Sequence, residues 1–167
     1  MLALLAGARA LVAQEFTPPG PTSSGGVRLG LFGLGARLGA DFKGQNQAVA
    51  SVTLDVADVF TDRLRLRPSV EIGIGSGPDT YLASLELLYR FTRDSERAVP
   101  YIGVGAGVWG HQDCATIGND CPAVWPLFAL GFELRLNDRL NWMLEYHAED
   151  GLNRNRLLIG LTTRRGS

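Results

Sequence analysis

From Val27 onward, apolar and polar positions alternate with a period of two, and no stretch repeats apolar residues at i, i+3, i+4 and i+7 for the length of a helix. This pattern predicts an all-β chain. Residues 48–57 set Ala50, Val52, Leu54 and Val56 against Ser51, Thr53 and Asp55, and residues 63–75 (RLRLRPSVEIGIG) set Leu64, Leu66, Val70, Ile72 and Ile74 against Arg63, Arg65, Arg67, Ser69 and Glu71. The division recurs in 81–91, 101–110, 127–136, 140–147 and 156–164, the last with Arg164 on the polar side. In 27–39 the phase is blurred by Gly30, Gly33 and Gly35, as a bulge would blur it. Together these segments predict eight strands, and an even number suits closure with both chain ends on one side.

The links between the segments differ. VFTDR, TRDSERAVP and LNDR are compact and turn-like, whereas those around DFKGQNQ, GHQDCATIGNDCPAVW and HAEDGLNRN are longer or more polar. Short turns on one side and longer loops on the other are the habit of outer-membrane barrels. SGPD, after the third strand, breaks the scheme as a tight turn on the loop side.

Alternation alone does not say which face is inside. A soluble barrel of lipocalin type, or a β-sandwich, buries its apolar face; a transmembrane barrel shows that face to lipid and keeps a polar lumen. Three features favour the second arrangement. Aromatic residues gather at the strand ends, with Tyr89, Phe91, Phe132 and Trp142 toward the turns and Tyr81, Phe128 and Tyr146 toward the loops, as a girdle at two lipid–water interfaces would. The polar face mixes acids, arginines and glycine, and Lys43 is the only lysine, so it lacks a lysine-rich solubilising surface. The strands also run about ten residues, close to the roughly 9–11 that cross a bilayer at a tilt.

An eight-stranded barrel has room inside only for its own side chains. Arg65, Arg67, Glu71, Glu86, Arg90, Glu133, Arg135 and Glu145 are therefore expected to form a paired network in the lumen, because an unpaired buried charge costs several kcal/mol.

Composition narrows the reading further. The 167 residues suit one domain, and a net charge of −1 offers no basic surface for nucleic acid. No apolar run reaches the ~20 residues of a membrane-spanning helix. Residues 1–14 (MLALLAGARALVAQ) read as a signal peptide, in part or whole, 15–26 as a Pro/Gly-rich tether, and 27–164 as the barrel. Cys114 and Cys121, an even pair in a loop of Gly, Asn, Asp and Pro, are expected to form a local disulfide in an oxidising compartment.

The chain resembles the small outer-membrane β-barrel superfamily of OmpA-, OmpX- and OmpW-like proteins. The resemblance spans roughly 27–164 and rests on the glycine-alternating YIGVGAGVWG and the hairpin RLNDRLNWMLEYHAEDGLNRNRLLIGL. It implies an eight-stranded antiparallel up-and-down transmembrane β-barrel in the bacterial outer membrane, monomeric and in contact with outer-membrane lipid. One departure is the last strand, which ends LIGLTTRRGS where the family usually places an aromatic residue that the assembly machinery reads.

Some members of the superfamily are lipid A deacylases or palmitoyltransferases, the deacylases carrying a histidine with a nucleophilic serine two positions on. Here His147 is followed by Ala148 and Glu149, and YHAEDG reads as a polar loop at the strand rim. His111, Asp113, His147, Glu149 and Asp150 are expected at the loop end, where imidazole and carboxylate suit a divalent cation but no spacing is diagnostic. The glycines of 103–107 lie within a strand and open no helix, so they are not a nucleotide-binding turn. No catalytic, cofactor or metal residue is assigned. The expected function is a structural or surface-contact barrel whose loop around Cys114 and Cys121 meets a ligand or protein; the alternatives are a lipid A-modifying enzyme and a soluble ligand-binding barrel.

Overall fold

The computed structural model describes residues 26–114 and 121–163. The expected signal peptide, all of the tether before Gly26, and Arg164 lie outside these residues. Within them the chain forms β1 (Val27–Lys43), β2 (Ala48–Val59), β3 (Leu64–Ile74), β4 (Thr80–Arg90), β5 (Ala98–His111), β6 (Ala123–Arg135), β7 (Leu140–Glu149) and β8 (Arg154–Thr163). Each strand pairs antiparallel with its neighbours in chain order and β8 pairs with β1, which closes an up-and-down barrel of eight strands. Closure pairs β1 with β8 over Gly35–Lys43, so among the described residues no strand of the sheet stands as a free edge strand.

The expected bulge falls in β1. Leu29 faces Ala57 and Gly33 faces Asp55, so β1 spends extra residues there, and Phe32 and Gly33 both turn inward. Links 60–63, 91–97 and 136–139 lie at one end, the turn end, and 44–47, 75–79, 150–153 and the described ends of the β5–β6 link (112–114 and 121–122) lie at the other, the loop end. Side chains fix the tight turns: Asn137 Oδ1 accepts the backbone N–H of Arg139 at 2.8 Å and of Leu140 at 2.9 Å, a local bond that competes successfully with further strand pairing.

The expected contrast in link length does not hold. Apart from 112–122, the loop-end links are as short as the turns, because β1 continues through Asp41–Lys43 and β7 through His147–Glu149. Those polar residues looked like loop; Asp41, His147 and Glu149 are strand residues that point inward and are buried.

The distribution of residues is inverted relative to a soluble protein. Leu38, Val52, Val70, Ile72, Leu85, Val104, Leu130, Leu157 and Ile159 are exposed on the outer wall, while Arg37, Arg67, Glu71, Glu86, Glu145 and His147 are buried within. The interior is not wholly charged. Leu82, Leu88, Tyr101, Trp109, Leu127 and Ala129 form an inward apolar cluster along β4, β5 and β6. The β5 glycines make room for it: a Cβ at Gly103 would collide with the Leu88 side chain, and one at Gly107 would lie 2.7 Å from Leu82 Cδ1.

Candidate functional site

The candidate site is the lumen itself. Because inward residues recur at every second position, eight strands bring a dense set of charges to one axis, and those charges sort by height. Toward the turn end, Arg65 Nη1 donates to Asp55 Oδ2 at 2.9 Å and its Nη2 to Asp94 Oδ2 at 2.6 Å. Arg90 joins Asp94 to Glu133, at 2.7 Å on each side.

At mid-height Arg67 reaches three carboxylates: Asp55 Oδ1 at 2.9 Å, Glu145 Oε2 at 3.0 Å and Glu133 Oε1 at 3.5 Å. Its guanidinium lies 5.4 Å from the centre of the Tyr101 ring, and the Tyr101 hydroxyl donates to Glu145. Tyr101 finds space for its ring over Gly131, where a Cβ would stand 2.6 Å from the hydroxyl oxygen.

Toward the loop end Arg37 binds both Glu145 and Glu71, the latter at 2.9 Å, and Arg156 Nη1 lies 2.8 Å from Glu71 Oε2 and 3.2 Å from Glu149 Oε1. The ion pairs thus run unbroken from Asp94 near the turns to Glu149 near the loops. Charge-assisted bonds of this kind repay part of the desolvation that burial imposes, and only a complete set does so.

His147 lies in the loop-end half, fully buried. Its Nε2 is 2.5 Å from Glu145 Oε1, 3.3 Å from Arg37 Nη1 and 3.9 Å from Glu86 Oε2. The carboxylate contact is the shortest, which assigns the proton to Nε2. Nδ1 then presents a bare lone pair, 3.4 Å from Glu71 Oε1 and with no hydrogen-bond partner. Glu86 Oε2 and Glu149 Oε2 are likewise buried without a hydrogen bond.

Of the residues expected in the lumen, Arg65, Arg67, Glu71, Glu86, Arg90, Glu133 and Glu145 are all buried there. Arg135 is not. It points out past the last turn, 44% exposed, and pairs with the exposed Asp138. His147 corrects the earlier reading in the opposite sense, since it sits inside the barrel rather than in a rim loop. Of the other residues expected with it at the loop end, Glu149 also points inward, while His111 and Asp113 stand at the 112–122 link and Asp150 opens the 150–153 link. Sequence reasoning also missed Arg37, Asp55 and Arg156 as members of the network, although each is in phase with inward neighbours.

The expected girdle residues all face outward. Tyr89 and Phe91 meet edge to face at 5.4 Å and Phe132 and Trp142 lie 5.8 Å apart at the turn end, while Tyr146 pairs with Phe42 at 6.3 Å at the loop end. Tyr81 is at the loop end of β4, and Phe128 faces Ala148 across the β6–β7 pair. Inside the loop-end mouth, Trp109 and Trp125 stack at 4.3 Å, with the Arg154 guanidinium 4.9 Å and 5.0 Å from the two rings. Cys114 and Cys121 are joined by a disulfide at the base of the 112–122 link.

No family model matches the chain, and no curated protein matches it. Among solved structures it is similar to the N-terminal β-barrel domain of Pseudomonas aeruginosa OprF, with a TM-score of 0.58 and 14% identity over 80% of this chain and 98% of that one. It is also similar to Neisserial surface protein A, with a TM-score of 0.53 and 10% identity over 81% of this chain and 95% of that one. The outer membrane enzyme PagL overlays at 0.46 and 17% identity, over 81% and 99% of the two chains. At these identities the likeness is one of fold: a small barrel of the outer-membrane type.

Proposed function

We propose that the chain is a monomeric bacterial outer-membrane barrel with a structural or surface-contact role and no catalytic one, its lumen closed by ion pairs. The observation that carries this reading is the inversion of faces, with arginines, glutamates and a histidine buried while leucine, isoleucine and valine cover the wall. In water such a wall would be an apolar surface far larger than the few hundred Å² a soluble monomer tolerates. In a bilayer it is the required surface, bounded by the aromatic pairs at both ends.

The filled interior supports a plug rather than a pore, since the central guanidinium of Arg67 is held by carboxylates on both sides. His147 faces the filled lumen and not the apolar outer wall, and that supports the non-enzymatic reading. The disulfide-tied 112–122 link is the longest at the loop end and is the surface offered to an outside ligand or protein.

The test is gel mobility of the detergent-refolded chain with and without boiling, beside lipid A mass spectra and planar-bilayer currents. The expected results are a heat-dependent shift, unchanged acyl number and no conductance. A chain that stays soluble and monomeric without detergent would refute the membrane reading, and an altered acyl number would refute the non-enzymatic one.

A further inference from the structure

We infer that the loop-end half of the lumen holds a divalent transition-metal site, with His147 Nδ1, Glu71 Oε1 and Glu149 Oε2 as its ligands. One donor atom from each of these three residues lies within 4.8 Å of one from each of the others, and all three residues are buried. The cluster is more than a group of acids, because two of its atoms are orphaned. Nδ1 of His147 and Oε2 of Glu149 are shut away from water and accept no hydrogen bond. Such groups cost free energy unless something fills them.

Geometry selects what fills them. With Nε2–H committed to Glu145, the lone pair of Nδ1 faces a carboxylate oxygen at 3.4 Å with no proton between them. Two lone pairs at that range repel unless a cation lies between. In a tetrahedral zinc site with ligands at about 2.0–2.2 Å, neighbouring ligand atoms are about 3.4 Å apart. The Glu145–His147 contact reproduces the carboxylate–histidine support that orients a metal-bound imidazole and fixes its tautomer. Arg156 holds Glu71 Oε2 and Glu149 Oε1, and Arg37 Nη2 donates to Glu71 Oε1 at 2.9 Å, so Glu71 would bring the second lone pair of Oε1 to the metal while Glu149 Oε2 has no hydrogen bond to give up.

Charge agrees. Around His147 stand Glu71, Glu86, Glu145 and Glu149, served chiefly by Arg37 and Arg156, with Arg67 shared between Glu145, Asp55 and Glu133. Among the described residues no guanidinium is within ion-pair reach of Glu86, whose Oε2 has no hydrogen-bond partner. A dication supplies the missing positive charge. One imidazole and two carboxylates suit zinc, with a water as the fourth ligand.

The test uses tag-free, detergent-refolded protein stripped with a chelator, each sample first shown to be folded by its heat-dependent gel shift, which also separates failure of the barrel reading from failure of this one. Zinc titrated into the wild type by calorimetry should bind with a stoichiometry of one. Cobalt substituted for it should give the intense visible absorption of a tetrahedral N,O site. His147→Gln and Glu149→Gln should each weaken binding at least tenfold, and His111→Gln should leave it unchanged. Glu149→Gln lies at the strand end, keeps an oxygen for Arg156, and serves if the His147 variant does not fold. Absence of stoichiometric binding to the folded wild type overturns the site, as does binding that survives in the folded variants or that vanishes in His111→Gln.

Discussion

Arg67 on β3 and Glu145 on β7 meet at 3.0 Å, although these strands stand on opposite walls of the barrel. The lumen at mid-height is therefore narrow enough for one arginine and one glutamate to span, the small diameter that eight strands impose.

Removing one member of this pair strands the others. Arg67→Met leaves Asp55, Glu133 and Glu145 short of a donor, and breaking a buried pair from one side costs about 3–5 kcal/mol. The double variant Arg67→Met/Glu145→Gln should recover part of that loss. Urea unfolding of the single and double variants in lipid vesicles measures the coupling, and strictly additive losses would contradict a direct interaction.

The outer wall carries the opposite expectation. Val104 lies mid-strand and 60% exposed, so Val104→Arg should cost about 2–4 kcal/mol in a bilayer. Arg135→Ala, at an exposed turn, should stay within about 0.5 kcal/mol. In a soluble barrel Val104→Arg would be nearly neutral, so the same unfolding assay separates the two environments.

Tryptophan fluorescence reports the two faces directly. Trp142 points outward beside Phe132, whereas Trp109 is 9% exposed inside the mouth and stacked on Trp125. Brominated acyl chains should quench the wild type strongly and Trp142→Phe only weakly. Loss of quenching in Trp109→Phe instead would place the wrong tryptophan against lipid.

Gly131 is a packing residue. Gly131→Leu puts a side chain where the Tyr101 ring lies and separates its hydroxyl from Glu145, so a loss of about 1–3 kcal/mol from overpacking is expected, plus the hydrogen bond. Tyr101→Phe removes only the bond and should cost less; equal costs would mean that the ring is not displaced.

Much of this was legible in the chain because outward-facing positions are predominantly apolar. RLRLRPSVEIGIG alternates without error, and Arg65, Arg67 and Glu71 do point inward, while Arg63 lies in the turn before the strand. Phase, however, reports direction and not height. Arg135 follows Glu133 by two residues, yet lies beyond the end of the lumen. His147 and Glu149 were read as rim because polar residues ending a strand look the same in a loop as in a charged interior. Inward Tyr101 and Met143 left no signal, since an apolar residue on the polar phase looks like a break in the pattern until Gly131 and Gly160, their partners across the ladder, are known.

Glu71 is held on one side by Arg37 from the first strand and on the other by Arg156 from the last. The seam where the two ends of the chain meet is thus latched from within, through a carboxylate on a third strand. A sheet that lacks only its last strand still carries Glu71 and Glu149 without Arg156, a partner that arrives only when β8 docks. Completion of the wall and the closing of the second clamp on Glu71 are thus one event.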